Sequence, residues 1–190
     1  MKNLFCLLLL VAGSFTLTAQ DADAEADAPK EGWTRGGTFT LLFNQSAFDN
    51  WLAGGQNNIA GNVGINYDLN YAKGDWSWDN KLIVSYGLTK IEDSDLQKTD
   101  DRLEINSLAG RKASGLWYYS AFFNFKTQMD SAFQTDENGN EFKTTHFFSP
   151  AYFQFGPGMM WKKSDNLKVN FAPATAKVIM VHDEFTDPTI

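Results

Sequence analysis

NIAGNVGINYDLNYAKGDWSW, residues Asn58 to Trp78, alternates almost without a break. Its odd positions read Ile59, Gly61, Val63, Ile65, Tyr67, Leu69 and Tyr71, and its even positions Ala60, Asn62, Gly64, Asn66, Asp68, Asn70 and Ala72. A period of two places the first set on one face of a β-strand and the second on the other. The run is more than twice the roughly five or six residues of an ordinary strand. An apolar face of that length covers either a protein core or lipid.

Six further segments read the same way. They are GGTFTLLFN from Gly36, WSWDNKLIVSYGLTK from Trp76, DRLEINSLAGRK from Asp101, WYYSAFFNFKTQ from Trp117, AYFQFGPGMMW from Ala151 and LKVNFAPATAKVIMV from Leu167. The alternation of the last weakens after Pro173. The connections differ in length. KGD, SG and KKSDN are short, whereas QSAFDNWLAGGQN, IEDSDLQKT and MDSAFQTDENGNEFKTTHFFS are longer. Short turns at one end and long loops at the other are the pattern of outer-membrane barrels. Tyr71, Trp76, Trp78, Trp117, Tyr119 and Trp161 all stand beside the short turns, as an interfacial aromatic girdle would. A soluble β-sandwich with these aromatics in its core is the competing reading, and it predicts shorter strands and more even loops.

The expectation is an all-β, antiparallel, up-and-down transmembrane β-barrel over residues 36–190, with about seven strands present. Single-chain bacterial barrels use an even number of strands, eight or more. HDEFTDPTI does not read as a finished terminal strand, so closing strands are expected beyond the sequence given. Upstream, Lys2 and the apolar run Leu4 to Ala12 read as a secretory signal over residues 1–19, too short for a helical span of roughly 20 residues. Cys6, the single cysteine, falls inside it, leaving a mature chain without disulfides. Residues 20–35, rich in alternating Ala and acid, read as a linker that cannot bury a core. The net charge of −7 argues against a nucleic-acid partner, which needs a basic stripe.

The chain resembles an uncharacterised outer-membrane β-barrel family of Bacteroidota, known as a domain of unknown function (family 3078). The resemblance runs from Trp33 to Val181. It rests on NQSAFDNWLAGGQNNIAGN (Asn44 to Asn62), GDWSWDN (Gly74 to Asn80), KTDDRLEINS (Lys98 to Ser107), WYYSAFFNFKTQ (Trp117 to Gln128) and SPAYFQFGPGM (Ser149 to Met159). It implies a barrel in the outer membrane of a Gram-negative bacterium. Outer-membrane lipid, and during biogenesis the barrel-assembly machinery and periplasmic chaperones, follow as partners. It brings no activity, cofactor or catalytic residue.

Asn44, Gln45, Asn50, Trp51, Gly54, Gly55 and Gln56 form the most distinctive cluster. Amides beside an aromatic suit a sugar or a constriction; a loop folded back over the mouth is the favoured reading. Asp68, Asp79, Lys81, Arg102, Glu104 and Lys126 fall on the polar faces and carry both signs. They suit a salt-bridged interior more than a selective pore. The acids of EDSDLQKTDD read as a solvated loop rather than a divalent-ion site. In DENGNE, the glycine is misplaced for a calcium loop, and Asn138-Gly139 reads as a hairpin turn. His146 and His182, the two histidines, have no Cys or second histidine near them in sequence, so no metal site is expected. His146 lies near Ser149, Asp130 and Asp136, but no G-x-S-x-G elbow supports a hydrolase. The expected function is a passive channel for a small-molecule solute or a structural envelope barrel, not an enzyme. A surface-binding barrel using its external loops is the alternative, and a barrel hydrolase a weaker one.

Overall fold

The computed structural model describes residues 31–49 and 54–186. The signal expected over residues 1–19 and most of the linker lie outside these, as do Asn50 and Trp51. The strands are β1 (Gly32–Ser46), β2 (Asn58–Lys73), β3 (Trp76–Ile91), β4 (Leu96–Ser114), β5 (Trp117–Thr127), β6 (Ala132–Thr135), β7 (Glu141–Thr145), β8 (Ala151–Ser164), β9 (Leu167–Phe171) and β10 (Ala176–Met180). A 3-10 turn follows at Asp183–Phe185. All ladders are antiparallel, in the order β1-β2-β3-β4-β5-β8, with β9 and β10 sharing the far edge of β8. β6 and β7 pair only with each other. The main sheet curls into a half-barrel of up-and-down strands. No helix among the described residues is long and apolar enough to cross a membrane, which says nothing of crossing by strands.

Alternation and register together fix the two faces. Phe39 pairs with Ile65, Ile65 with Val84, and Val84 with Leu103, so one apolar row crosses four strands. In the next row Thr38, Asn66, Ile83, Glu104 and Lys126 lie side by side on the opposite, concave face. Exposure is inverted relative to a water-soluble sheet. Along β2 the apolar Ile59, Val63, Ile65, Tyr67 and Leu69 are exposed, while Asn62, Asn66, Asp68 and Asn70 are half-buried. Curvature crowds the polar side chains together and splays the apolar ones outward. Among the described residues Ala151 and Met160 are the only buried hydrophobic side chains. Met160 fills the concave face near the short turns, where Gly110 makes room: a Cβ on Gly110 would lie 2.7 Å from Met160 Cε.

Several boundaries differ from the sequence reading. β1 begins at Gly32 rather than Gly36, because Trp33 packs against Tyr71 and Trp78, with ring centroids 5.1 and 5.8 Å apart. The expected long loop IEDSDLQKT is shorter than read: β3 and β4 stay paired out to Lys90 and Leu96, and the strands are joined by residues 92–95. The connection after β5 contains the β6–β7 hairpin, with Asn138-Gly139 in its turn and Gly139 at φ 85°. Asp136 Oδ1 closes that turn by accepting from the amides of Asn138 and Asn140. These bonds, with the Asn140 side-chain amide foremost, hold the Asp136 carboxyl below its usual range.

The seventh strand is broken. β9 pairs with the second half of β8 and β10 with the first half. Pro173 lies in the gap between them and has no N–H to give a ladder. The chain in this gap presses on two glycines: a Cβ on Gly156 would lie 2.3 Å from the Ala174 carbonyl oxygen, and one on Gly158 2.5 Å from that of Phe171. Backbone cannot swing aside as a side chain can. Gly156→Val is therefore expected to lower stability by about 1–3 kcal/mol, read as a shift of the urea midpoint. Gly61→Ala is the control, since the nearest atom to its Cβ is 3.9 Å away; it should stay within about 0.5 kcal/mol.

Candidate functional site

The concave face carries the six charged residues singled out in the sequence. Asp68 pairs in register with Lys81, their charged atoms 3.5 Å apart and both half-exposed. Asp79 neighbours Asn70 on β2 and Leu108 on β4, yet its partner is distant: Lys168 Nζ, on β9, donates to Asp79 Oδ2 at 2.6 Å. This bond spans the arc from β3 to β9 near the short-turn end. Ser120 Oγ adds a second link, donating to Asn170 Oδ1 at 2.6 Å.

Glu104 is the hub of the wall. Arg102 reaches it through Nε at 2.9 Å and also through Nη2, and Asn106 Nδ2 donates to it at 2.8 Å. Asn124 Nδ2 donates to Glu104 Oε1 at 3.2 Å and to Asn106 Oδ1 at 2.7 Å. Lys126 stands next to Glu104 in the β4–β5 ladder. A dense set of satisfied charges of this kind is stiff, because each donor it holds would be costly to orphan. Beside it opens a groove of about 370 Å³ lined by Asp68, Asp79, Lys81, Asn106, Asn124 and Lys168. It offers carboxylates, ammonium groups and amides to a small polar solute. Lys168, Asn106 and Asn124 were absent from the sequence-derived set, although all three sit on the polar phase of their strands.

The aromatic girdle is one band on the convex face. Tyr71 pairs with Trp78, Trp117 with Trp161, and Tyr119 with Met159. Trp76, Trp78, Trp117 and Tyr119 are all exposed. Trp33 joins them, and the Arg111 guanidinium lies 5.6 Å from the Trp76 ring centroid. The Trp78 indole N–H donates to Ser107 Oγ at 2.7 Å.

The glycine-rich cluster is not brought to one point. Asn44 and Gln45 are successive residues of β1 and so face opposite sides. Gly55 serves packing, since a Cβ there would lie 2.6 Å from the Phe48 ring, and Phe48 N donates to Asn57 Oδ1 at 2.6 Å. Gly54 has φ 82°. Gln56 is exposed in the same loop, and Trp51 is outside the described residues.

At the long-loop end Glu92, Asp93 and Asp95 are exposed where the chain turns from β3 to β4, as expected of a solvated loop, whereas Asp100 and Asp101 lie within β4. Asp101 Oδ1 accepts from the Met129 amide at 2.7 Å, and Asp101 Oδ2 accepts from Lys98 Nζ at 2.6 Å. The β3–β4 register shifts at Gly87/Leu88, so that Asp100 pairs with Gly87 and Lys98 with Leu88. The extra residue, Thr99, is what brings Lys98 to the side of Asp101. Tyr86 Oη donates to Asp130 Oδ2 at 2.7 Å, which, with the Ser131 amide, lowers the Asp130 pKa. Ser149 Oγ accepts from the His182 amide at 2.8 Å and is buried, so it is not placed as a nucleophile for His146. Asp130 and Asp136 bond instead within their own turns and to Tyr86.

Residues 43–133 match a family model described as protein of unknown function (DUF3078). The chain is similar to that family over four of the five quoted segments; the fifth, Ser149 to Met159, lies beyond the match. No curated protein and no solved structure matches the chain.

Proposed function

We propose that this chain forms the wall of an outer-membrane β-barrel whose concave face lines a passage for small polar solutes. The observation that carries this reading is the inverted sheet, with apolar side chains exposed on the convex face and polar ones crowded inside the curve. Hydrocarbon is the solvent that favours such an arrangement. β2 and β3, at 16 residues each, exceed the roughly 9–11 that a tilted transmembrane strand needs. The girdle beside the short turns supports a membrane interface at that end. The free edges of β1 and of β9 and β10 would be paired in a closed barrel, since unpaired backbone is costly in lipid.

A second reading, binding through the long-loop end, draws on the exposed Phe133, Phe142 and Phe147 around the β6–β7 hairpin. The full-length gene product, expressed in a Gram-negative host, is expected in the outer-membrane fraction. Its band on an SDS gel should shift on boiling, and the purified protein should conduct in a planar bilayer. A barrel that shifts but stays silent in the bilayer would favour the binding reading. A soluble periplasmic protein with no shift would overturn both, and the convex face would then be the core of a sandwich.

A further inference from the structure

We propose that His146, His182 and Glu184 form a site for a borderline transition-metal dication, Zn²⁺ above all, at the long-loop end. The two histidines come from separate connections, one after β7 and one after β10, yet their rings lie 5.2 Å apart, edge to face. One ligand atom from each of the three residues lies within 4.8 Å of the others. Ligand atoms around tetrahedral zinc are about 3.3 Å apart, so modest side-chain rotation closes the set.

The surroundings are those of a prepared ligand frame. His146 Nδ1 lies 2.7 Å from the Phe147 carbonyl oxygen. A carbonyl only accepts, so the proton of the neutral ring sits on Nδ1 and the lone pair on Nε2. That Nε2 is 4.0 Å from Glu184 Oε2. Lys143 Nζ holds the other carboxylate oxygen, Oε1, at 2.9 Å. The carboxylate is thereby oriented and half neutralised, which leaves one oxygen for a metal.

His182 is held by its backbone amide on Ser149 Oγ. Ser149 is tied to His146 by a reciprocal pair of backbone bonds at 3.1 and 2.9 Å. One buried serine thus braces both histidine-bearing segments. His182 Nδ1 accepts the Glu184 amide at 3.2 Å, a long contact that a bond to the metal would replace.

Two imidazoles and one carboxylate leave at least one coordination position open. This donor set suits Zn²⁺, Cu²⁺ or Ni²⁺, whereas Ca²⁺ and Mg²⁺ require oxygen. Bound metal would pin the segment after β7 to the segment after β10.

Because the chain has only two histidines, proton NMR of their rings is unambiguous. The untagged full chain, folded in detergent and treated with chelator, is titrated with ZnCl₂ against a zinc indicator. One zinc per chain is expected, with both histidine signals shifting, and excess CaCl₂ should not displace it. His146→Ala and His182→Ala should each weaken binding roughly tenfold or more, with the heat-dependent gel shift retained to show that the variants fold. Lys143→Met, which removes the contact that orients the carboxylate but no ligand, should weaken binding less than the loss of either histidine. Zinc that leaves both histidine signals unmoved, or binds His146→Ala as tightly as the parent, would overturn the proposal. So would the absence of binding at zinc concentrations well above micromolar.

Discussion

Ile65→Lys is expected to destabilise the folded protein in lipid vesicles by about 2–4 kcal/mol, while Asn66→Lys, one residue along, should cost less than about 1 kcal/mol. Ile65 lies midway along β2 in the apolar row of Phe39 and Val84, and it is 38% exposed. In water, a lysine at so open a position would be neutral. In hydrocarbon, the ammonium group loses its hydration and is too near the midplane to reach either interface cheaply. Asn66 points the other way, into the row that contains Glu104. Urea unfolding in vesicles measures both. Equal, small effects for the two substitutions would remove the case for a lipid-facing convex side.

The second large effect belongs to Glu104→Leu. Removing this carboxylate takes the acceptor from Arg102, Asn106 and Asn124 together. The Glu104 side chain is 12% exposed and that of Arg102 41%. Water can therefore reach the guanidinium better than the amides, and the expected loss is about 2–3 kcal/mol, below the range for breaking a fully buried pair. Glu104→Gln, which keeps the shape and one acceptor oxygen but not the charge, should lose about 1 kcal/mol. Arg102→Leu combined with Glu104→Leu should recover part of the single-variant loss, because the guanidinium is then no longer left without its anion. If the barrel conducts, Glu104→Leu should also move its reversal potential toward anions, as Arg102 and Lys126 lose their counter-charge. A denaturation midpoint unchanged by Glu104→Leu would mean that the wall network adds nothing to stability.

β2 through β5 were legible because apolar and polar residues alternate there with sharp contrast, and because KGD and SG fix the hairpin registers on each side. The six charges of the concave wall followed from phase alone. What phase cannot supply is the partner across the curve. Asp79 and Lys168 are separated by four ladders, and nothing in either local sequence points to the other. The two histidines were separated by β8 to β10, and only folding brings their loops together. Thr99 is hard to read for a different reason: as an extra residue it shifts the phase, so counting by twos from Asp101 would put Lys98 on the wrong side. Trp33 fell within the linker assigned to residues 20–35, and its place in the girdle depends on Tyr71 and Trp78 across the ladder.

The strut from Lys168 to Asp79 also separates near contacts from far ones along the chain. Each hairpin from β1 to β5 joins chain neighbours and can close as soon as its second strand exists. The strut cannot: one end is in place with β3, and the other arrives only with β9. A chain cut before Lys168 would keep the residues of every ladder through β8 and still lack this link across the arc. The ladders from β1 to β5 thus join near neighbours in sequence, whereas the tie across the curve joins an ammonium group and a carboxylate that stand 89 residues apart.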